Sequence, residues 1–544
     1  MAPNLLLMVI RSNESKRKRK RKRTKTIKRE DRLSALPDDI LIKILSCLPL
    51  QLAMATACLS SRWRDLWTKV TSIHIDTNKF DYSDDFDSTF SDIITRITSP
   101  FIHSFSVELG PVWHMSPYRN YINLDYSWLR QICDRNVRQL KVTNTRNISE
   151  VDVSKKYRID ILHPTMSKYN DYFIQPGLTL PSFIFVTQSL VSIELDSTTI
   201  KLQLPDDGDQ INLPNLNKLH LCSTSMNSES LEKLIKACPS LEEFGFVYKY
   251  CQCPYNSVRS RLGRNRSTCL WYINFSHQNL QRLFIKNLPN NYRVVVNAPK
   301  LAYLAIHASK SAGFRFEEEP MMLSCEAKIH LADYTVYDCD LALTEDEIKS
   351  MTKFYGVFSN ITIVSPEVFV LKNSWPSNMF CNATQLTISM DMPSNVNILW
   401  AILELCPVLD VLTLKMQDTE GMEIRDAEMP CQVGTWQRVL KKVKIEINCN
   451  SNGKTTKALV ELVEYLLSNS VDLKQFHVTV DSSSRKMGST KVAAIREMKL
   501  CQLLYQCPLL SEGCEVEFVG RFFKMSRKAG LNFLIANGKD SPIN

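Results

Sequence analysis

The feature that most constrains what this 544-residue chain can fold into is an apolar triplet of the form L-x-x-L-x-L that returns again and again. It stands at Ile102-Phe105-Val107, Val137-Leu140-Val142, Leu190-Ile193-Leu195, Leu216-Leu219-Leu221, Leu241-Phe244-Phe246, Leu280-Leu283-Ile285 and Leu301-Leu304-Ile306. It returns at Phe358-Ile361-Ile363, Ala383-Leu386-Ile388, Leu409-Leu412-Leu414, Leu440-Val443-Ile445 and Leu473-Phe476-Val478. The last two positions of each copy are two residues apart and so share one side of a short strand. A unit this small cannot bury its apolar side alone, and stacked neighbours must supply the core. The closest copies, such as those starting at 190, 216 and 241 or at 358, 383 and 409, recur every 25 or 26 residues. The expected fold class is therefore an α/β repeat solenoid bent into a horseshoe, with segments such as 230–237 and 396–405 forming helices on its outer side. Three corners share one context: Cys238-Pro239-Ser240-Leu241, Cys406-Pro407-Val408-Leu409 and Cys507-Pro508-Leu509-Leu510 each follow a helical pattern and precede a strand. Proline just past a helix end cannot continue it, and free cysteine packs as a small hydrophobe, so these are helix-to-strand corners.

Ahead of the repeats lies LSALPDDILIKILSCLPLQLAMATACLSSRWRDLW at 33–67. Pro37 suits the first position of a helix because its missing N–H is not needed there, and Asp38 and Asp39 complement the helix dipole. Ile40, Leu41, Ile44, Leu45 and Leu48 then fall on one apolar face at the helical period. Pro49 stops this helix, a second segment runs over 50–59, and Ser60 or Ser61 can cap a third helix carrying Trp63, Leu66 and Trp67. About 35 residues cannot bury so many large apolar side chains by themselves. Part of this face is expected to be completed by a partner.

At these residues the chain resembles the F-box proteins, in particular the plant group with leucine-rich repeats, whose period of about 20 to 29 residues the closest triplets match, the wider gaps marking insertions or missed turns. The resemblance is carried by Leu36-Pro37-Asp38-Asp39-Ile40-Leu41, by Leu48-Pro49 and by the ending Leu59-Ser60-Ser61-Arg62-Trp63-Arg64-Asp65-Leu66-Trp67. It implies a three-helix module that binds a Skp-type adaptor and, through it, a cullin scaffold, with the repeats holding a protein target for ubiquitination. Leu36, Pro37, Ile40, Leu41, Ile44, Leu45, Leu48, Pro49, Leu59, Trp63, Leu66 and Trp67 are the residues expected to contact the adaptor or form the module's core. The chain departs from the pattern at Gln51, Leu52 and Ala55, where similar proteins often carry a Lys-Asp pair and a basic residue.

Toward the C-terminus, the order Trp436-Gln437-Arg438-Val439-Leu440, strand, helix over 455–468, strand, then 507–518 resembles the FBD segment of many plant F-box proteins. It is read as a terminal cap, which open repeat arrays require. The expected layout is a basic leader at 1–32, the F-box at 33–75, the repeats at 95–425, the FBD-like cap at 426–520 and a tail at 521–544.

The formal charge of +10 is confined to the leader, since residues 1–32 hold 13 Lys or Arg against three acids while the other 512 residues hold 54 of each sign. Lys16, Arg17, Lys18, Arg19, Lys20, Arg21, Lys22 and Arg23 form a self-repelling block that stays solvated. It is read first as a nuclear-import signal. A phosphate-binding arm ranks behind it, because no aromatic side chains interleave to stack on bases. Residues 5–10 make a poor signal peptide, since the basic residues follow them, and no apolar run is long enough to cross a membrane. The expected location is nucleus and/or cytoplasm.

Seventeen scattered cysteines suit reduced thiols. Cys251 and Cys253 have no second pair at zinc-finger spacing. No phosphate loop, dinucleotide fingerprint, zinc-protease motif or nucleophile elbow occurs. His74, His103, His220, His277, His307 and His477 stand singly, which suits hydrogen-bonded strand residues better than bases or ligands. Arg259, Arg261, Arg264 and Arg266 form a basic insertion between two repeats. The expectation is a non-enzymatic substrate receptor of a cullin-based ubiquitin ligase with no cofactor, membrane contact or metal. The alternatives are a nuclear nucleic-acid-associated scaffold using the leader, and an inert adaptor-binding assembly factor.

Overall fold

The computed structural model describes residues 33–76, 86–109, 127–144, 178–196, 200–202, 211–223, 228–248, 270–289, 291–309, 312–320, 325–332, 343–364, 379–391, 396–417, 434–448, 456–481, 490–511, 513–528 and 531–536. The basic leader, Cys251, Cys253 and the arginine insertion at 259–266 lie outside them. The chain divides into two compact units, Met1–Lys218 and Leu219–Asn544.

The first unit opens with α1 (Asp38–Ser46) and α2 (Leu50–Ala55), then three 3-10 turns at Thr56–Cys58, Ser61–Trp63 and Leu66–Lys69. After them come β1 (Ser72–Asp76), α3 (Phe86–Arg96), β2 (Ser104–Leu109), α4 (Ser127–Cys133), β3 (Gln139–Asn144), β4 (Leu178–Leu180), β5 (Ser192–Asp196) and β6 (Ile200–Leu202). Strands β1, β2, β3 and β5 form a parallel ladder in which Ile73, Phe105, Leu140 and Ile193 share one column and Ile75, Val107, Val142 and Leu195 the next. Strands β4 and β6 pair separately. Helices α3 and α4 pack on each other and bury Ile93, Ile94, Ile97, Leu129 and Ile132.

The expected third helix is absent. Ser60 is extended, with φ −164° and ψ 170°, and its side chain caps nothing. Successive 3-10 turns carry Trp63, Leu66 and Trp67 instead, because residues three apart share a face in a 3-10 turn as they do in an α-helix.

Strand β7 (Lys218–Ser223) straddles the boundary between the units. The second unit continues with α5 (Ser228–Lys236), β8 (Glu243–Tyr248), β9 (Trp271–Ser276), β10 (Arg282–Leu288), β11 (Tyr292–Asn297), β12 (Tyr303–Ser309), β13 (Gly313–Phe316) and β14 (Glu326–Ala332). Next come α6 (Glu345–Gly356), β15 (Asn360–Val364), β16 (Gln385–Asp391), α7 (Val396–Glu404), β17 (Val411–Gln417) and β18 (Lys442–Asn448). The chain ends with α8 (Thr456–Asn469), β19 (Gln475–Asp481), α9 (Thr490–Gln506), β20 (Glu515–Val519), β21 (Phe523–Lys528) and β22 (Leu531–Ala536).

The ladder of this unit runs β8-β10-β12-β14-β15-β16-β17-β18-β19-β20, every pair parallel. One column holds Phe244, Leu283, Leu304, Ala327, Ile361, Leu386, Leu412, Val443, Phe476 and Val516; two residues on, the next holds Phe246, Ile285, Ile306, Ile329, Ile363, Ile388, Leu414, Ile445, Val478 and Phe518. All 36 residues of the twelve triplets are buried, none exposing more than 6%. Sealing one such side chain from water contributes roughly 1.5–3 kcal/mol, which explains why the pattern is kept rung after rung. The fold is thus a leucine-rich-repeat type with a mainly parallel, open sheet.

Three differences from the expected layout have physical causes. First, the ladder starts earlier and ends later than 95–425. Val70-Ile73-Ile75 makes a buried rung beside the docking stretch, and β18, β19 and β20 continue the register through the segment read as a cap. The sheet ends instead in the antiparallel strands β21 and β22, within the stretch read as a tail. Second, the wide gap between the copies at 301 and 358 contains β14 and α6, whose rung was hidden by Ala327. Third, the outer layer is not helical throughout. Strands β9, β11 and β13 form a second parallel ladder, with α5 packed on β9 and α6 on β13.

The expected helices at 230–237 and 396–405 form as α5 and α7, and each proline corner closes as anticipated. The Cys238 thiol donates to the Leu234 carbonyl at 3.2 Å and that of Cys406 to Ile402 at 3.6 Å, while Cys507 N donates to Leu503 O at 2.8 Å. Burial pushes the Cys238 and Cys406 thiols up to about 12 and that of Cys507 to about 11, which leaves them unionised packing groups. At the last turn of the sheet, buried Glu497 accepts from the backbone N–H of Arg521, Phe522 and Phe523 at 3.1, 2.7 and 3.2 Å and so fixes the entry into β21.

Candidate functional site

Helix α1 divides its apolar residues between two sides. Leu41 and Leu45 are sealed among Leu50, Ala53, Trp63, Leu66, Trp67 and Val70. Ile40 and Ile44, one turn apart on the outer side, remain 40% and 37% exposed, and beyond the helix Leu52 and Leu59 are 53% and 64% exposed. Leu36, Leu48 and Pro49 are half-buried and Pro37 is exposed. The residues expected to contact the adaptor or form the core thus fall into two groups: Leu41, Leu45, Trp63, Leu66 and Trp67 are core, while Ile40 and Ile44 face outward with Leu59, joined by Leu52.

Arg62 straps the module closed. Its Nε and Nη2 donate to Asp38 Oδ1 at 3.0 and 2.6 Å, Nη2 also donates to the Leu36 carbonyl at 2.6 Å, and Nη1 donates to the Ser34 carbonyl. Beside it Trp63 Nε1 donates to Ser34 Oγ at 3.1 Å. The module is also tied to the first ladder strand. Thr71 N donates to Ser46 Oγ at 3.1 Å, and Gln51 Nε2 donates to the Asp76 carbonyl at 3.1 Å. Repeats thus supply the scaffolding that 35 residues lack. The departures from the F-box pattern now have places: Gln51 anchors α2 to β1, and Leu52 adds an exposed apolar side chain.

The outward residues of the ladders, alternating with the buried columns, form the second candidate surface. In the first unit Glu194 accepts from Lys141 at 2.8 Å and Lys218 at 2.5 Å. Burial alone would raise its carboxyl, but the two ammonium groups outweigh that and hold it at about 2. In the second unit Glu243 pairs with His220 at 2.8 Å and Arg282 at 2.9 Å. The His220 ring lies against Phe284, and Phe284 against Tyr303. The imidazole covers Gly245, where even a methyl group would come within 2.7–3.0 Å of it. At the other end Lys444 and Lys415 share Glu446, and His477 and Lys528 share Glu517. The sequence shows His220 and His477 only as single histidines and does not reveal their partners, because a strand's outward residues carry no repeating pattern. The same pairings place His74, His220 and His477 in contact with ladder carboxylates, while His277 bonds the Cys238 carbonyl at 2.9 Å.

Comparison with known proteins agrees with this geometry. Residues 33–74 match the F-box domain, and residues 167–328 match the profile described as FBD-associated F-box protein At5g56370, LRR repeats. The chain is 26% identical over 514 residues to the F-box/FBD/LRR-repeat protein At5g22660 of Arabidopsis thaliana, covering 90% of this chain and 97% of that protein. It is 24% identical over 502 residues to At5g22700, with 90% and 99% covered, and 24% identical over 470 residues to F-box/LRR-repeat protein 13, with 84% and 92% covered, both from the same organism. The chain thus carries an F-box followed by FBD-associated leucine-rich repeats. Along most of its length it is similar to the F-box/FBD/LRR-repeat proteins of Arabidopsis thaliana. Among the described residues no helix is long and apolar enough to cross a membrane.

Proposed function

We propose that this protein is a non-catalytic substrate receptor of a cullin-based ubiquitin ligase. The observation that carries the reading is the outward apolar flank of Ile40, Ile44, Leu52 and Leu59, left uncovered by a module whose own core is complete. F-box domains generally bind Skp-type adaptors, and a flank of this kind gains stability when an adaptor takes it out of water. The repeats, expected to curve as a horseshoe, would present the target, and the bond from Gln51 to Asp76 ties the docking module to the first rung of the ladder. Catalysis then comes from proximity to a ubiquitin-charged enzyme on other subunits. The FBD-like segment extends the receptor surface, and the basic leader directs the chain to the nucleus as well as the cytoplasm.

Reconstitution tests the reading. The full chain is combined with a Skp-type adaptor, a cullin with its ring subunit and ubiquitin-conjugating enzyme. Ubiquitin is expected to appear on the chain's own lysines, and omitting the adaptor should abolish it. Assembly without any transfer would leave an inert adaptor-binding factor. The nuclear scaffold reading predicts instead salt-sensitive binding to DNA that is lost when residues 16–23 are changed to glutamine.

A further inference from the structure

Strand β22 ends the second unit's sheet, and among the described residues it pairs only with β21, antiparallel, from Phe523↔Ala536 to Lys528↔Leu531. An edge strand offers a row of backbone N–H and C=O groups to any extended chain, and folded proteins guard such a row with charge, proline or a covering element. The three strands at this end distribute charge the opposite way. Strand β20 carries Glu515 and Glu517, and β21 carries Lys524, Arg527 and Lys528, with Lys528 paired to both acids at 3.2 Å. Strand β22, Leu531-Asn532-Phe533-Leu534-Ile535-Ala536, carries no charge and no proline, and five of its six residues are apolar. In the first unit the opening strand β1 is guarded: it holds His74 and Asp76, α2 packs on it, and Gln51 donates to the Asp76 carbonyl at 3.1 Å.

We propose that β22 is an interaction surface for a second copy of this chain, the two β22 strands pairing edge to edge and antiparallel so that the sheet of one copy runs on into that of the other. The chemistry of the edge selects this occupant. Its alternating donors and acceptors are matched by another extended polypeptide backbone, as in strand addition to a sheet edge. The run from β20 through β21 to β22 is already antiparallel, so a strand that continues the alternation runs against β22. A two-fold axis delivers an identical strand in that direction, with the same patch on both copies. Self-pairing sets the residues of one strand against themselves, and like charges directly opposite each other destabilise a sheet. Strand β22 has none to repel, whereas β20 with its two acids or β21 with its three bases would repel its own copy. The surface stands independently of the receptor reading; if both hold, each assembly carries two adaptor-docking flanks.

Sedimentation velocity of the full chain between about 0.5 and 50 μM tests the pairing, the range suited to a small interface. The wild-type chain is expected to move from the mass of one chain to that of two as concentration rises. Asn532→Glu with Ile535→Glu should weaken this association about tenfold or more. In a pairing centred on the strand, position 532 of one copy stands opposite position 535 of the other, so the substitutions set like charges against each other. Within each copy the same positions are level with Arg527 and Lys524, so the new acids suit the monomer. Mixing this variant with one carrying Asn532→Lys and Ile535→Lys should restore the two-chain species, an outcome that an unfolded variant cannot give. A wild-type chain that keeps the one-chain mass up to about 50 μM, a glutamate variant that associates like wild type, or a mixture that stays apart would each overturn the proposal. So would binding of a fluorescein-labelled Lys-Thr-Val-Thr-Val-Thr-Val-Lys peptide by a chain that remains single, which would assign the edge to a foreign strand.

Discussion

Replacing Ile40 by aspartate and Ile44 by lysine abolishes capture of a Skp-type adaptor and leaves the chain folded. Both side chains point outward, so the folded core of Leu41, Leu45, Trp63, Leu66 and Trp67 loses little. The new charges also suit the helix. An acid enters its first turn and a base its last, and the two sit four residues apart in the favourable order. In the complex, each isoleucine sealed by the adaptor contributes roughly 1.5–3 kcal/mol. The pair of substitutions removes that contribution and forces two charges against an apolar surface, so affinity falls about a thousandfold or more. Leu41→Ala or Leu45→Ala is predicted to act differently, costing about 2–5 kcal/mol of module stability through the cavity it opens. Pull-down with the adaptor, paired with thermal unfolding followed by circular dichroism, separates the two outcomes. Loss of capture by the Leu41 or Leu45 variants only after they unfold, and by the Ile40/Ile44 variant while it remains folded, is the expected pattern.

Glu347→Ala produces a large loss of stability in the second unit. Arg293 on β11 is only 7% exposed at its side chain, and its Nε and Nη2 donate to the two carboxylate oxygens of Glu347 at 2.5 and 3.3 Å. Glu347 also closes a reciprocal cap with Thr344: its carboxylate accepts from Thr344 N at 2.9 Å, and its own N–H donates to Thr344 Oγ1 at 3.2 Å. One side chain thus holds the start of α6 against the outer strands. Removing it takes the carboxylate away from a nearly buried guanidinium, and breaking such a pair costs about 3–5 kcal/mol. Arg293→Met in the same chain removes the buried charge and recovers part of that loss. Burial alone would raise the Glu347 carboxyl, but the bonds from Arg293 and Thr344 outweigh it and hold it below the usual carboxylate range. A lowered carboxyl pKa gives stability that is present above the unfolded value of about 4.3 and lost as pH falls through the folded one. Wild type should therefore lose this contribution below about pH 4, and the Glu347→Ala chain should show a flatter profile there. Equal melting temperatures at neutral pH would contradict the assignment.

The ladder was legible in the sequence because two inward positions per strand must stay apolar at every rung, and twelve repeats of that demand leave a visible period. Rungs that relax it were missed: Ala327 is a small substitute, Gly513 stands where the leucine before Val516 and Phe518 would be, and Val70-Ile73-Ile75 merges with the apolar docking stretch. The outer strands β9 and β11 read as continuous apolar runs, Trp271-Tyr272-Ile273 and Val294-Val295-Val296, without helical spacing to classify them. In the docking stretch, periodicity found the right residues and could not sort them. Ile40, Leu41, Ile44 and Leu45 form one stripe wide enough for an inner and an outer half, and only the packing of Trp63, Leu66 and Trp67 decides which half is sealed.

The central claim, that the outer half of α1 together with Leu52 and Leu59 is an adaptor-docking surface, is tested most directly by amide hydrogen exchange of the full chain with and without a bound Skp-type adaptor. The account predicts slowed exchange over residues 38–59 and unchanged exchange across the ladder strands β14 to β19. A stable complex whose protection falls on the ladder, with residues 38–59 exchanging as they do in the free chain, would contradict it.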